Sequence, residues 1–256
     1  MIKDKLLKHS FLLEELIKRD FKVKYKGTVL GILWSVLSPL MMFFVMKMIF
    51  TQFFGKSTPH FAVYMLAGNV IYSYFSEATK SGMTALRSNA SIISKVTVPK
   101  HLFLLSKNVQ TFISFLLNLV VFFIYVAIDG ISFNWKFLSL IYPIVLLLIF
   151  NIGCGFILST LYMFFMDMRY LYDVALRIIM YMSAIFYTVD SFSPEVQKLF
   201  NINPLYLYIK YFRLVVIDSQ IPSLRYHALM LAEAVVVLLI GMHMYKKNNN
   251  KFLYYI

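Results

Sequence analysis

The sequence predicts an all-α integral membrane protein with six transmembrane helices, an N-terminal amphipathic interfacial helix and an external re-entrant segment. Three observations predict this fold class. Hydrophobic residues make up 60% of the 256 residues and charged residues only 14%, whereas a soluble domain has about 25% charged residues. Apolar stretches of membrane-spanning length recur along the chain, and the basic residues cluster beside them.

The six predicted spans follow from the length that a bilayer requires. A helix needs about 20 mostly apolar residues to cross a hydrocarbon core of about 30 Å. The segments that meet this requirement are 31–53, 61–79, 106–128, 138–166, 170–189 and 228–245. We therefore divide the chain into an N-terminal cytoplasmic segment (1–30), a six-helix transmembrane domain (31–245) and a cytoplasmic tail (246–256).

The connection 190–227 contains one more apolar run, at 205–217. This run is short and is interrupted by Lys210 and Arg213. Backbone at membrane depth that is not a spanning helix needs protein or water around it. We therefore predict a re-entrant or interfacial pair of short helices here.

The distribution of basic residues predicts the orientation. With both termini in the cytoplasm, 18 Lys and Arg residues lie inside and six lie outside, and Lys47 lies within a span. This bias favours cytoplasmic termini. It also accounts for the net charge of +13 without a nucleic-acid partner, because the basic residues flank apolar spans.

Residues 2–21 have the periodicity of a basic amphipathic helix. Glu14 with Lys18, and Glu15 with Arg19, have the spacing of helix ion pairs. Such a helix before a first span lies in the membrane interface. It is either a simple surface anchor or a gate beside a pore entrance.

A basic signature leads into the first span. It comprises Arg19, Asp20, Lys24, Tyr25, Lys26, Gly31, Trp34 and Pro39. Basic residues alone could be a positive-inside anchor, but in this order the signature resembles the permease subunits of ABC exporters for cell-surface polysaccharides, such as O-antigen, capsule and teichoic acid. The resemblance implies a homodimer in a bacterial inner or plasma membrane, two copies of a separate ATPase, and a lipid-linked polysaccharide as cargo.

The resemblance extends to both sides of the membrane. The loop 81–99 reads as a short amphipathic helix, which in this family docks on the ATPase through residues matching Met83, Leu86, Ile92, Ile93 and Val96. Asp167 matches part of an Arg-Asp pair in the next cytoplasmic loop. Ala184 replaces the proline that usually precedes the family's I-F-Y motif, so we expect no proline kink there. Asn203, Pro204 and Tyr206 match an N-P-x-Y element of the external segment.

Aromatic residues make up 18% of the chain. Tyr64, Tyr72 and Tyr74 of the second span are candidates for a sugar conduit, because rings and hydroxyls suit sugar faces, although each can also serve packing. Lys47 and Glu233 are charged residues inside spans and are added as conduit candidates. Lys47 can instead snorkel outward, and Glu233 can instead be hydrated at the interface.

The sequence predicts no nucleotide site in this chain. It contains no G-x-x-x-x-G-K-[ST] motif, so we expect ATP and Mg²⁺ to bind a partner ATPase and no cofactor to bind here. Cys154 is the single cysteine and excludes an intrachain disulfide. The alternatives are a small-molecule or drug exporter, a membrane enzyme acting on lipid-linked sugars, which would need clustered acidic residues, and a proton-coupled carrier, for which Glu233 alone is thin support.

Overall fold

The computed structural model describes residues 2–54, 60–96, 98–189 and 192–255. The side chains of residues 2–9, of several positions between 32 and 50, and of residues 51–54 lie outside this description. Pro39 and Lys47 are among them, so only their helical backbone is described. The described residues form helices and no strand, as predicted.

The helices are α1 (Ile2–Lys24), α2 (Trp34–Phe54), α3 (Phe61–Ser88), α4 (Ala90–Ile93), α5 (His101–Ile128), α6 (Ile141–Phe164), α7 (Met168–Met182), α8 (Pro194–Phe200), α9 (Pro204–Val216), α10 (Leu224–Asn248) and α11 (Phe252–Tyr255). Helices α3, α5 and α10 extend further than the predicted spans, whereas α6 and α7 are shorter. Short 3₁₀ helices, Gly31–Leu33 and Trp135–Leu140, precede α2 and α6.

Among the described residues, three helices are long and apolar enough to cross a membrane. They are α5, the continuous stretch Trp135–Phe164 that contains α6, and α10. The outer faces of α5 and α10 expose large apolar side chains, such as Val120, Ile124 and Leu239. Such faces suit lipid, so the chain is a membrane protein.

The bundle is centred on α3 and α6. Helix α3 packs against α5 and α6, and α6 packs against α10. Glycines permit the close approaches. A Cβ at Gly82 would lie 3.0 Å from the Gly155 Cα, and a Cβ at Gly241 would overlap the Gly153 carbonyl oxygen. Small residues at helix crossings allow this tight backbone packing in membrane proteins.

The bundle has two ends, a basic end and an opposite end. At the basic end, α3 ends at Ser88, α5 begins at His101 and α10 ends at Asn248. At the opposite end, His60 before α3 pairs with Asp129 after α5, with 2.6 Å between Nδ1 and Oδ2.

The predicted amphipathic helix over 81–99 is not a separate element. Helix α3 continues through Ser88, and only the four residues Ala90–Ile93 form a helix beyond it. The continuation buries Met83 and Leu86. The break falls at Asn89, whose side-chain amide donates to the Ala85 carbonyl at 2.7 Å and so competes with the backbone ladder.

Helix α7 is shorter than the predicted fifth span. It has 15 residues and ends at Met182. The chain then turns at Ala184, which has a left-handed backbone (φ 49°) that cannot continue a right-handed helix. The helix therefore ends next to Ala184, the position where the family usually has a proline, although no proline is present here.

The connection before α10 contains two short helices, α8 and α9. Pro204 occupies the first turn of α9, where a missing N–H costs nothing. The Asn203 side chain accepts a hydrogen bond from the Leu205 N–H at 3.1 Å. Helix α9 is almost entirely buried and packs against α3.

Candidate functional site

The signature residue Asp20 is the centre of a buried polar junction. Its side chain is 2% exposed. Arg19 Nη2 lies 2.8 Å from one carboxylate oxygen and Lys107 Nζ lies 3.2 Å from the same oxygen. The Ser106 hydroxyl donates to the other oxygen at 3.0 Å. A carboxylate can be buried when cations and donors replace water in this way.

The junction connects three helices. Arg19 also donates to the Asn89 side-chain oxygen at 2.7 Å, and Gln110 donates to the Asp20 backbone carbonyl at 3.1 Å. Helix α1 is therefore joined to the end of α3 and to α5. The predicted pair of Glu15 with Arg19 is absent from the described contacts, because Arg19 turns toward Asp20 while Lys18 pairs with both Glu14 and Glu15.

A polar cleft of about 520 Å³ opens next to this junction, between α2, α3 and α5. Its lining includes Lys24, Tyr25, Trp34, Asn69, Ser73, Glu77, Ser114 and Asn118. Lys24 Nζ lies 2.6 Å from the Glu77 carboxylate and donates to the Ser114 hydroxyl at 3.3 Å. The cleft thus combines an ion pair, two amides and two large rings.

Two polar atoms in this lining have no hydrogen-bond partner within the described residues. They are the Tyr25 hydroxyl and the Asn118 side-chain oxygen, both buried. A buried unpaired polar atom is costly unless water or a ligand completes it. The cleft is therefore equipped to accept a hydroxyl-rich ligand alongside the Tyr25 and Trp34 rings.

Two further signature residues, Lys26 and Gly31, do not line the cleft. Lys26 is exposed, and Gly31 has a left-handed backbone (φ 52°) just before α2. The signature therefore divides into a junction part, Arg19 and Asp20, and a cleft part, Lys24, Tyr25 and Trp34.

The predicted coupling residues separate into buried and exposed groups. Ile93 is buried, as Met83 and Leu86 are, whereas Ile92 is half-buried and Val96 is 52% exposed. Asp167 is exposed between α6 and α7. The structure therefore leaves Ile92, Val96 and Asp167 available at the surface of the basic end.

At the opposite end, Arg213 of α9 is the centre of a second junction. Its guanidinium lies 3.3 Å from the Tyr64 ring centroid. It donates to the backbone carbonyls of Tyr64 at 3.2 Å, Ala184 at 3.0 Å and Ile185 at 3.4 Å. Arg213 therefore connects α9, α3 and the turn after α7.

The N-P-x-Y residues belong to this same end. The Asn203 amide donates to the Ser183 hydroxyl at 3.0 Å, which ties the start of α9 to the end of α7. Tyr206 is buried and packs its ring against Phe200 at 5.6 Å.

The three tyrosines predicted as conduit candidates make contacts within the chain. The Tyr64 hydroxyl donates to the Tyr187 carbonyl at 3.0 Å, and the Tyr72 hydroxyl donates to the Leu176 carbonyl at 2.9 Å. Tyr74 is buried and stacks on Phe115 at 4.3 Å. None of the three is among the residues that line the cleft. Glu233 is half-buried in α10, away from the cleft lining.

Sequence reasoning missed several cleft and junction residues. A signal for the cleft was present: Asn69, Ser73 and Glu77 recur every four residues in an apolar span, as do Ser114 and Asn118. Polar residues with this spacing share one helix face. No comparable signal pairs Asn89 with Arg19, or Lys107 and Gln110 with Asp20, because those contacts join residues about 70 to 90 positions apart.

Comparisons with known proteins agree with these observations. Residues 12–217 match the family model described as ABC-2 type transporter. The chain is 24% identical over 245 residues to the O-antigen export system permease protein RfbA of Klebsiella pneumoniae, covering 94% of this chain and 93% of the relative. It is 22% identical to a protein of the same name from Myxococcus xanthus, covering 96% of both chains. It is also 22% identical to the polysialic acid transport protein KpsM of Escherichia coli, covering 94% of both chains.

Proposed function

The chain belongs to the ABC-2 type transporter family, and from this premise we propose that it carries a lipid-linked polysaccharide out of the cytoplasm. It is the transmembrane subunit of a polysaccharide ABC exporter, as its O-antigen and polysialic acid export relatives support. The family implies a partner ABC ATPase. We propose that two copies of this chain assemble with two copies of that ATPase.

We propose a six-span topology with both termini in the cytoplasm. Helices α5, α6 and α10 have the length and apolarity of spans. Helices α2 and α3, with 21 and 28 residues, are long enough to add two more. Helix α7 with the irregular stretch 183–189 would complete the fifth crossing, and α8 and α9 would form the external re-entrant segment. The 18-to-6 split of basic residues supports this orientation.

The orientation can be tested with single cysteines. In a variant with Cys154 replaced, cysteines are introduced at Asn249 and at Ser193 separately. An impermeant thiol reagent applied to intact cells should label the Ser193 site and spare the Asn249 site. Labelling of the Asn249 site would contradict the proposed topology.

The polar cleft between α2, α3 and α5 is the single observation that carries the proposed transport role. A long polymer must slide, so its path needs many weak contacts rather than a few strong ones. The cleft offers rings for the apolar faces of sugars and amides and hydroxyls for their hydroxyl groups. We propose that it forms one wall of the conduit, completed by the second copy.

At the basic end, Ile92, Val96 and Asp167 form the proposed contact with the ATPase. They are at least partly exposed. Met83, Leu86 and Ile93 would support this surface from within, because they are buried beneath it. Closure of the ATPase would press on α4 and on the α6–α7 link, and would be transmitted along α3, which also lines the cleft.

Occlusion of the cleft tests the transport role. Ser73 is exposed within the cleft, so Ser73→Trp should block it. Surface polymer should fall at least tenfold while lipid-linked polymer accumulates inside the cell. Val120→Trp is the matched control, because it adds the same bulk on the exposed outer face of α5. Normal export by the Ser73→Trp protein, with normal assembly, would remove the cleft from the pathway.

A further inference from the structure

A second cavity, unrelated to the polar cleft, lies between α5, α6 and α10 at the basic end. Its volume is about 650 Å³, within the range of about 300–1,000 Å³ that small-molecule sites occupy. Its walls are apolar and include Leu105, Ile149, Ile152, Leu238 and Met242. It shares no lining residue with the cleft.

Polar groups lie at only one end of this groove. Lys100 and His101 at the start of α5, and Lys246 near the end of α10, belong to its lining. Lys100 Nζ donates to the Asn249 carbonyl at 2.7 Å. Among the described residues, no carboxylate belongs to the lining. The groove is therefore apolar along its length and positively charged at one end.

One further feature favours an anionic ligand at that end. Tyr245 lines the groove, and its buried hydroxyl has no hydrogen-bond partner in the described part of the chain. The hydroxyl can therefore complete its hydrogen bonding with an acceptor that the protein does not supply.

We propose that this groove binds one anionic glycerophospholipid. The phosphate would contact Lys100 and Lys246, and one acyl chain would lie along the wall formed by Ile152, Leu238 and Met242. Basic residues at the membrane surface attract anionic lipids. A sugar chain does not fit, since the wall is apolar. A lipid-linked cargo would need continuity with the cleft, and the two share no lining residue in the described part of the chain.

Native mass spectrometry of the full chain tests the headgroup contact. The protein is released from nanodiscs that contain equal amounts of POPG and POPC, and retained lipids are counted. The native protein should retain one POPG in preference to POPC. Lys246→Gln should weaken this preference about fivefold, which corresponds to about 1 kcal/mol for one basic residue at the surface. Lys247→Gln is the matched control, because Lys247 is exposed and does not line the groove.

A second variant tests the acyl-chain wall. Met242→Trp fills the groove without changing its charge, so the retained POPG should be lost. Leu239→Trp places the same ring on an exposed face outside the groove and should retain the lipid. The Lys246→Gln arm is interpretable even where Met242→Trp fails to fold.

Three outcomes would overturn the proposal. One is an equal loss of POPG in Lys246→Gln and Lys247→Gln, which indicates nonspecific surface charge. Another is unchanged retention by a folded Met242→Trp protein. The third is displacement of POPG by an equimolar polyprenyl phosphate, which assigns the groove to the cargo's lipid instead.

Discussion

Asp20 and Arg213 are two buried charges at opposite ends of the bundle, and each joins three segments of the chain. Asp20 is 2% exposed and is neutralised by the side chains of Arg19 and Lys107. Arg213 is 6% exposed, and it donates hydrogen bonds to three backbone carbonyls. The Asp20 charge is therefore paired with charged side chains, whereas the Arg213 charge is paired with main-chain carbonyls.

This difference decides what each junction can do. The cations around Asp20 have side chains 31% and 20% exposed, so water can replace the carboxylate if the junction opens. The carbonyls around Arg213 are fixed by the turn at Ala184 and the first turns of α3. We expect the Asp20 junction to move during transport and the Arg213 junction to hold the opposite end together.

The first prediction concerns Arg213, where the largest loss of stability is expected. Arg213→Met keeps the length of the side chain but leaves buried carbonyls unpaired. The cost should be about 3 kcal/mol, which corresponds to a fall in melting temperature of about 6–12 °C for a chain of this size. Thermal unfolding of the purified protein in detergent measures this.

Arg213→Lys distinguishes geometry from charge at this position. A lysine keeps the positive charge but lacks the planar fork that reaches several acceptors and stacks on the Tyr64 ring. It should recover less than half of the lost stability. Full recovery of stability would show that the positive charge alone stabilises this site. It would contradict the conclusion that the Arg213 junction depends on the geometry of its hydrogen bonds to carbonyls.

The second prediction concerns Asp20, where a smaller loss of stability but a larger loss of export is expected. Asp20→Asn leaves Arg19 and Lys107 without their carboxylate, but both can be hydrated. We expect a cost of about 2 kcal/mol and a fall in export of at least tenfold. Surface polymer and melting temperature are measured on the same variant.

Asp20→Glu is the control for this prediction, because it keeps the charge and changes only its position. It should retain more export than Asp20→Asn. A loss of stability by Asp20→Asn as large as that of Arg213→Met, together with normal export, would show that the Asp20 junction is a static contact. The proposed functional difference between the two junctions would then be wrong.

The two junctions also differ in how far the sequence predicts them. Arg19 and Asp20 stand in a recognisable signature, so their importance was predicted, but their partners Asn89 and Lys107 come from distant positions. Arg213 was counted among the basic residues on the outer side, in a segment predicted to form re-entrant or interfacial short helices, and no contact was predicted for it. Its burial depends on α9 packing into the bundle, a tertiary contact that no local pattern carries.

The helices show the same limit. Apolar length predicted the positions of α5, α6 and α10 to within a few residues, because lipid imposes that length. It did not predict the end of α3, because residues up to Ser88 are held by packing against neighbouring helices. It overestimated α7, because the turn at Ala184 depends on backbone geometry that the hydrophobic pattern does not record.

The third prediction compares one hydroxyl at each junction. Ser106→Ala removes one hydrogen bond to Asp20, and Tyr64→Phe removes the bond to the Tyr187 carbonyl while keeping the ring over Arg213. Each should cost about 1 kcal/mol. Only Ser106→Ala should change export, by about twofold to fivefold. Equal export defects in both variants would show that the two junctions respond alike.

The fourth prediction concerns the ion pair of Lys24 with Glu77 in the cleft, where the smallest change in stability is expected. The two side chains are 30% and 45% exposed, so their coupling in a double-mutant cycle with Lys24→Gln and Glu77→Gln should be about 0.5 kcal/mol or less.

Lys80 and Asp173 provide a matched pair outside the cleft lining, with 2.7 Å between Nζ and Oδ1 and similar exposure. Their cycle, with Lys80→Gln and Asp173→Asn, should give a similar coupling energy. Export separates the pairs: the cleft variants should lower surface polymer several-fold, because they change the proposed wall of the conduit, whereas the control variants should not. Equal export in both cycles would show that the cleft pair is only a surface contact.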